Sequence, residues 1–298
     1  MSETHKNHPR GPSAVPGLRA LLSLLHPFAH IQAFGEASRM LVQRRQMIFA
    51  MARRDISNRY AGQVLGTFWA VGHPLFQMAV MVFVFAVVFN QKIGGTHDLP
   101  RDYTVYILAG LSAWLSLSPV LATSAISIVS NASLIKQFTF DARVLPAKDI
   151  LVSFVVWSVS ILIVMLYTVI SYRTVPWTYV LIPVVMMVHF ITALGCAWAL
   201  ASISVFFRDV KDFVQLANTA MVYVLPIVYL PAWVPPLFKP FIYANPFSYL
   251  IWIYQDTFYF GRIEHPWAWL LATLFALFMF TAGYRLFRRL QPMFGGAL

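Results

Sequence analysis

Long apolar runs separated by short basic segments dominate the chain. From Leu75 to Phe89 nearly every position is apolar. Together with Leu65–Pro74 this stretch can cross a ~30 Å hydrocarbon core, with Pro74 as a kink. Five further runs follow at Tyr103–Val129, Ile150–Ile170, Tyr179–Phe206, Phe213–Leu230 and Trp267–Tyr284. Each meets or nearly meets the requirement of ~20 residues. The pattern predicts an all-α polytopic membrane protein with six transmembrane helices over residues 63–289. The stretch Pro231–Arg262 is different. It is apolar but interrupted by Pro231, Pro235, Pro236, Pro240 and Pro246. Short re-entrant helices between spans five and six fit it best, because irregular backbone at membrane depth must be packed by protein or line a cavity.

Ahead of the first span, residues 36–62 predict an amphipathic interface helix. On a helical projection Gln43, Gln46, Arg53, Arg54 and Ser57 share one arc, with Ala50 as the apolar intruder. Met40, Leu41, Met47, Ile48 and Met51 oppose them, interrupted by Arg44 and Asp55. A basic helix of this kind lies in the interface plane and favours anionic headgroups; the plainer reading is a topology anchor. Residues 1–35 carry Pro9, Pro12, Pro16 and Pro27. They read as a partly disordered cytoplasmic extension rather than a cleaved signal peptide. Residues 290–298 form a short cytoplasmic tail.

Composition strengthens the membrane reading. Of 298 residues, 59% are hydrophobic and only 11% charged, against about 25% charged in soluble domains. Net charge is +11, and its distribution sets orientation. Seventeen Lys and Arg fall on one side of the six spans and five on the other. The positive-inside rule then makes both termini cytoplasmic. The basic excess is thus a topology signal, and nucleic acid is not called for as a partner. The single cysteine, Cys196, excludes an intramolecular disulfide.

The spans hold almost no ionisable residues, although ion-coupled carriers and channels usually place them there. His189 is the one deep candidate, with His73 near the start of the first span; packing or a local hydrogen bond is the favoured reading over a proton relay. His26 and His30 have metal-like spacing. However, Pro27 stands where a zinc-protease helix would carry its Glu, so no metal site is expected. No P-loop and no nucleophile elbow occurs. Most interfacial acids have a basic neighbour, as in Arg101-Asp102 and Arg208-Asp209, and read as charge-paired loop ends. What remains is a pathway protein whose energy comes from a partner.

Certain residues follow one another at a characteristic spacing: Arg54-Asp55, Arg59-Tyr60, Leu65-Gly66, Trp69 and Pro74. The chain here resembles the membrane subunit of bacterial ABC exporters of lipid-linked polysaccharides, the O-antigen, capsule and teichoic-acid group. Gln63 stands where that family usually has Ser, and His73 where it has Asn. Asn131, Leu134-Ile135-Lys136, Phe140 and Leu145-Pro146 resemble the loop after the second span, with Asp141 in place of a usual Pro. Phe207-Arg208-Asp209-Val210 resembles the loop after the fourth span. Pro226-Ile227-Val228-Tyr229 and Asn245-Pro246-Phe247 resemble the last external region. The resemblance runs from about Met51 to Arg289.

It implies a homodimer in the bacterial inner membrane, with two ATP-binding cassette subunits docked on its cytoplasmic face. This chain would be no enzyme and hold no cofactor, since ATP and Mg would be bound by the partner subunit. Within the segment 131–149, Leu134, Ile135, Lys136, Phe140, Arg143 and Pro146 would form the coupling and gate region. Arg53, Arg54, Arg59, Lys136 and Arg143 would hold the lipid pyrophosphate at the cytoplasmic entrance, Lys136 and Arg143 having acidic groups on the ATPase as the alternative partner. Aromatics are 16% of the chain. Phe76, Phe83, Tyr223 and Tyr229 would line a channel over which sugars slide on many weak contacts; lipid-facing packing is the alternative for each. Tyr243, Phe247, Tyr249, Trp252 and Tyr254 would form an external gate, or else an interfacial aromatic belt. The implied cargo is a long glycan on an undecaprenyl-type lipid. Other readings are a permease for another substrate, a membrane enzyme acting on lipid-linked sugars, and an ion-coupled carrier.

Overall fold

The computed structural model describes residues 27–59, 62, 65–88, 102–136 and 140–298, and regular structure among them is entirely helical. Residues 1–26 of the predicted extension lie outside these, as do Tyr60, Gln63 and residues 89–101. Nine helices of ten or more residues occur among the described residues: α1 Pro27–Gln43, α2 Arg45–Arg59, α3 Trp69–Val82, α4 Tyr103–Ser127, α5 Val144–Tyr172, α6 Ile182–Ser204, α7 Val210–Val224, α8 Pro246–Gln255 and α9 Pro266–Leu290.

Four of them are long and apolar enough to cross a membrane: α4, α5, α6 with its leading 3-10 turn, and α9. Two predicted spans are shorter as helices. The first is α3, which runs through Pro74 and continues as a π-helical turn, Phe83–Val88. The fifth is α7, whose 15 residues reach only ~22 Å at 1.5 Å per residue. It stops at Val224 because Pro226 lacks an N–H and restricts the residue before it; Leu225 is extended. Conversely, α5 begins six residues ahead of the predicted third span. Pro146 sits in its first turn, where a missing N–H costs nothing. The single interface helix expected over 36–62 is instead the pair α1 and α2, which starts at Pro27 and bends at Arg44.

α4 is the centre of the bundle. Nearly all of its residues are buried, against α5, α6, α7 and α8. The outer faces of α5 and α9 leave Leu162, Leu166, Ile170, Leu270 and Leu274 uncovered, as hydrocarbon solvent permits. α6 and α9 pack backbone to backbone, with Gly195 facing Gly283. Small residues allow that approach, and close packing is the main force between helices in lipid.

Polar side chains fasten the interior. Trp157 Nε1 donates to the Tyr254 hydroxyl at 2.7 Å, and that hydroxyl lies 2.9 Å from His189 Nδ1. His189 Nε2 is 3.3 Å from Ser116 Oγ, and Trp157 stacks on the imidazole at 4.5 Å. His189 is therefore a hydrogen-bonding node joining α4, α5, α6 and α8. A second fastening holds the break after α7. Tyr106 donates to the carbonyls of Pro226 (3.3 Å) and Tyr229 (3.2 Å), Gln255 Nε2 to Pro226 (2.8 Å), and Tyr103 to Val228. Carbonyls freed by the proline thus find donors without water. Gly110 makes room: a methyl there would lie 3.2 Å from both Ile227 Cα and Gln255 Nε2.

Candidate functional site

The basic residues predicted for the cytoplasmic side separate into two places. The first is where α2 docks on α5. Arg53, Arg54 and Arg59 project from α2 and are exposed. Asp55, between them, turns to α5: Lys148 Nζ lies 2.5 Å from Asp55 Oδ2 and 2.8 Å from Asp149 Oδ1. Arg54 is a looser neighbour of Asp55 at 3.5 Å. Lys148 and Asp149 are both buried, so this ammonium between two carboxylates clamps α2 to the start of α5. Two cavities meet at Arg59. One, of about 340 Å³, is lined by Asp55, Asn58, Thr123, Asp149 and Ser153. The other, of about 370 Å³, runs between α3 and α4 past Trp69, His73, Gln77, Ser118 and Pro119. One turn of helix separates Trp69, His73 and Gln77 from each other, so they present one face to this cavity.

The second place is the turn before α5. Arg143 grips Asp141 with two parallel bonds, Nε to Oδ1 at 2.8 Å and Nη2 to Oδ2 at 2.9 Å. Its third nitrogen, Nη1, donates to the Tyr284 hydroxyl at 2.8 Å, and its carbonyl accepts from Trp198 Nε1 at 3.1 Å. Burial would raise the Asp141 pKa, but the Arg143 bonds and charge, with Arg44 at 3.5 Å, outweigh it and hold the carboxyl below its ordinary value. The bonds from Asp141 in turn push the Arg143 guanidinium up. Arg143 and Arg59 line different cavities. Lys136 is exposed at the end of the short helix Ala132–Ile135, which carries Leu134 and Ile135. Ile135 and Phe140 pack partly against the core, and Pro146 is buried.

The predicted channel aromatics Phe76, Phe83 and Tyr223 are exposed on α3, its π turn and α7. Tyr229 is half-buried, its hydroxyl on the Val224 carbonyl at 2.5 Å. Of the predicted external gate, Trp252 and Tyr254 are buried within the chain's own fold. Tyr243 is exposed, and Tyr249 and Phe247 are half-buried. Tyr243, Tyr249, Trp252 and Trp267 form one ring cluster, with Trp252 and Trp267 at 4.9 Å. Beside it lies a group that sequence reasoning missed. Asp256 is fully buried in the π turn after α8, where it binds His265 and Trp269 rather than a neighbouring Lys or Arg. It accepts from the His265 amide (3.0 Å) and Trp269 Nε1 (2.9 Å), and its other oxygen lies 2.8 Å from His265 Nδ1. The polar triplet Gln255-Asp256-Thr257, set within an aromatic-rich stretch, is the signal available.

The ABC-2 type transporter family model matches residues 46–259, the segment from α2 through the π turn after α8. The chain belongs to the ABC-2 type transporter family. It is a membrane transport subunit, and ATP hydrolysis belongs to a separate ATP-binding partner. Among similar proteins, an O-antigen export system permease protein RfbA of Klebsiella pneumoniae is 24% identical over 254 residues, covering 85% of this chain and 95% of that protein. An RfbA of Myxococcus xanthus is 29% identical over 228 residues, covering 76% of this chain and 85% of that one.

Proposed function

We propose that this permease exports a lipid-linked polysaccharide of the O-antigen type from the cytoplasmic to the periplasmic side of the bacterial inner membrane. It works as a homodimer with two ATP-binding subunits, and both termini are cytoplasmic. The observation that carries the reading is the similarity to the O-antigen export permeases along nearly their whole length. The geometry adds support. α3 with its π turn provides 20 residues, and α7 with the held segment 225–230 completes a sixth crossing. The Pro-broken stretch before α9 serves as the re-entrant external element. The outward faces of α3 and α7 expose Phe76, Phe83, Phe213, Leu216 and Tyr223. A second copy covering them would enclose a path floored with aromatic and apolar side chains. Sugars stack their C–H faces on such rings, and many weak contacts leave no deep trap. Arg59, over cavities that open between α3, α4 and α5, is placed to meet a pyrophosphate, a group that Arg recognises well. The clamp Asp55–Lys148–Asp149 keeps α2 in position for it.

The test is deletion of this permease in its native cell, followed by fractionation of lipid-linked glycan. Export predicts loss of surface polysaccharide, with polymer retained on the cytoplasmic side and restored only when the ATP-binding subunit is also intact. Unchanged surface polysaccharide would refute the reading.

A further inference from the structure

We propose that the cleft between α1, α9 and the turn 140–143 is a resident site for the phosphate headgroup of an anionic membrane lipid, separate from the transport path. The cleft is open and holds about 290 Å³. Four arginines on three elements converge on it, Arg39, Arg44, Arg143 and Arg288, against two carboxylates, Glu36 and Asp141. The partners are unevenly shared. Each nitrogen of Arg143 already donates to Asp141 or Tyr284, and Arg288 is paired with Glu36. Arg44 has only a 3.5 Å contact with the already satisfied Asp141. Arg39 has no partner among the described residues. Two exposed guanidinium groups thus face a cavity with positive charge in excess, the donor set that matches phosphate oxygens.

α1 says which source of phosphate fits. Its surface divides into three strips. Ala33, Ala37 and Met40 are buried. His30 Nδ1 lies 2.6 Å from Thr281 Oγ1 and Phe34 is 5.4 Å from Phe280, so the first half of α1 lies against the membrane-spanning part of α9. Phe28, Ile31, Phe34 and Val42 form an exposed apolar strip, and Gln32, Glu36, Arg39 and Gln43 an exposed polar one beside it. A helix so divided sits at the membrane boundary: its first half, beside the membrane-spanning part of α9, presents its apolar strip to acyl chains, and its basic second half lies among headgroups. Arg39 follows Ile31 by eight residues, roughly 12 Å along the axis. That offset sets a headgroup in the cleft while acyl chains lie along Ile31, Phe34 and the neighbouring Phe278, whose ring is 5.8 Å from that of His30. A soluble anion would leave this strip unused. The cleft shares no lining residue with the two cavities at Arg59, and the inference holds whichever substrate is exported. Because the turn carrying Asp141 and Arg143 walls the cleft, a bound lipid would steady that turn where α5 begins.

The permease purified with its ATP-binding subunit should be titrated with phosphatidylglycerol and with phosphatidylcholine, and bound lipid counted by native mass spectrometry. The parent should retain phosphatidylglycerol selectively. Arg39→Ala and Arg44→Ala should each weaken that retention about fivefold, the effect of one basic side chain near an anionic lipid. Lys211→Ala, an exposed cytoplasmic cation elsewhere, should not. Arg39→Glu, at an exposed position, provides a second variant, and thermal unfolding confirms that each variant is folded. Equal retention by parent and variants overturns the proposal, as does an equal loss in Lys211→Ala. Displacement of the lipid by inorganic phosphate at matching concentration makes the cleft a free-anion site and overturns the lipid assignment. Intact lipid retention with loss of the ATP-binding subunit assigns the arginines to an acidic partner and overturns it too.

Discussion

Replacing either glycine at the α6–α9 crossing with alanine tests the packing most directly. A methyl on Gly283 would sit 2.9 Å from the Gly195 carbonyl carbon and 3.3 Å from its Cα, and closer still to the carbonyl oxygen. A methyl on Gly195 would run into the Met279 carbonyl and the Phe280 amide. Ordinary carbon contacts need about 3.5–4.0 Å, so the helices must part by roughly 1 Å. Backbone cannot rotate aside as a side chain can. The cost therefore falls near the upper end of the overpacking range, about 3 kcal/mol. At roughly 2–4 °C per kcal/mol for domains of 150–250 residues, Gly195→Ala and Gly283→Ala should each lower Tm by about 6–12 °C in detergent. The double variant should cost less than the two singles combined, because the first methyl opens the gap that the second enters, with a coupling of about 0.5–3 kcal/mol. Gly35 has nothing within 4 Å of its added methyl. Gly35→Ala should be neutral or stabilise by up to about 1 kcal/mol through helix propensity. Single variants within about 0.5 kcal/mol of the parent, or strict additivity of the pair, would refute the backbone contact.

Lys148→Ala leaves two carboxylates without their cation and should cost about 3–5 kcal/mol in thermal unfolding; replacing Lys148, Asp55 and Asp149 together by neutral residues should recover much of it. Asp141 has a lowered folded pKa, so its contribution is present above the unfolded value of about 3.9 and is lost as pH falls through the folded one. Thermal unfolding between pH 7 and pH 3 should show an acid-side fall in the parent that is reduced in Asp141→Asn, and identical slopes would contradict the pairing. His189→Phe removes a partner from both Tyr254 and Ser116 and should destabilise by about 1–3 kcal/mol, with ATP-driven transport by the folded fraction still independent of a proton gradient. Arg59→Ala should lower export per folded molecule about tenfold or more, the worth of a charge-assisted bond; a Tm loss that accounts for the whole defect would make its role structural.

Hydropathy alone located α4, α5, α6 and α9, because the cost of polar backbone in lipid forces one long apolar helix per crossing. It misjudged ends. In sequence Pro146 reads as a loop residue yet it occupies a first turn, and the apolar run of α7 extends past Pro226 because Ile227, Val228 and Leu230 are as apolar as the helix before them. Asp141 and Arg143, two residues apart, could be suspected as a pair. Tyr284, which takes the third nitrogen, is 141 positions away, and Lys148 meets Asp55 across 93. One sequence read along its length carries no signal for such encounters. Periodicity assigned the basic helix a single amphipathic arc over 36–62. The structure puts the clean division on α1, because α2 spends one side on the Lys148 clamp rather than on lipid.

The docking of α1 on α9 also sets an order of events during synthesis. His30 and Thr281 are 251 residues apart. At roughly 5–20 residues per second, about 10–50 s pass between the two leaving the ribosome. Throughout that interval α1 lacks the helix that covers Ala33, Ala37 and Met40. Its divided surface gives it somewhere to wait, lying flat at the membrane surface. α9 is then the helix that collects α1, so this contact closes only after Thr281 has been made. A truncation that removes α9 should leave α1 on the membrane surface, open to proteases that the finished bundle excludes.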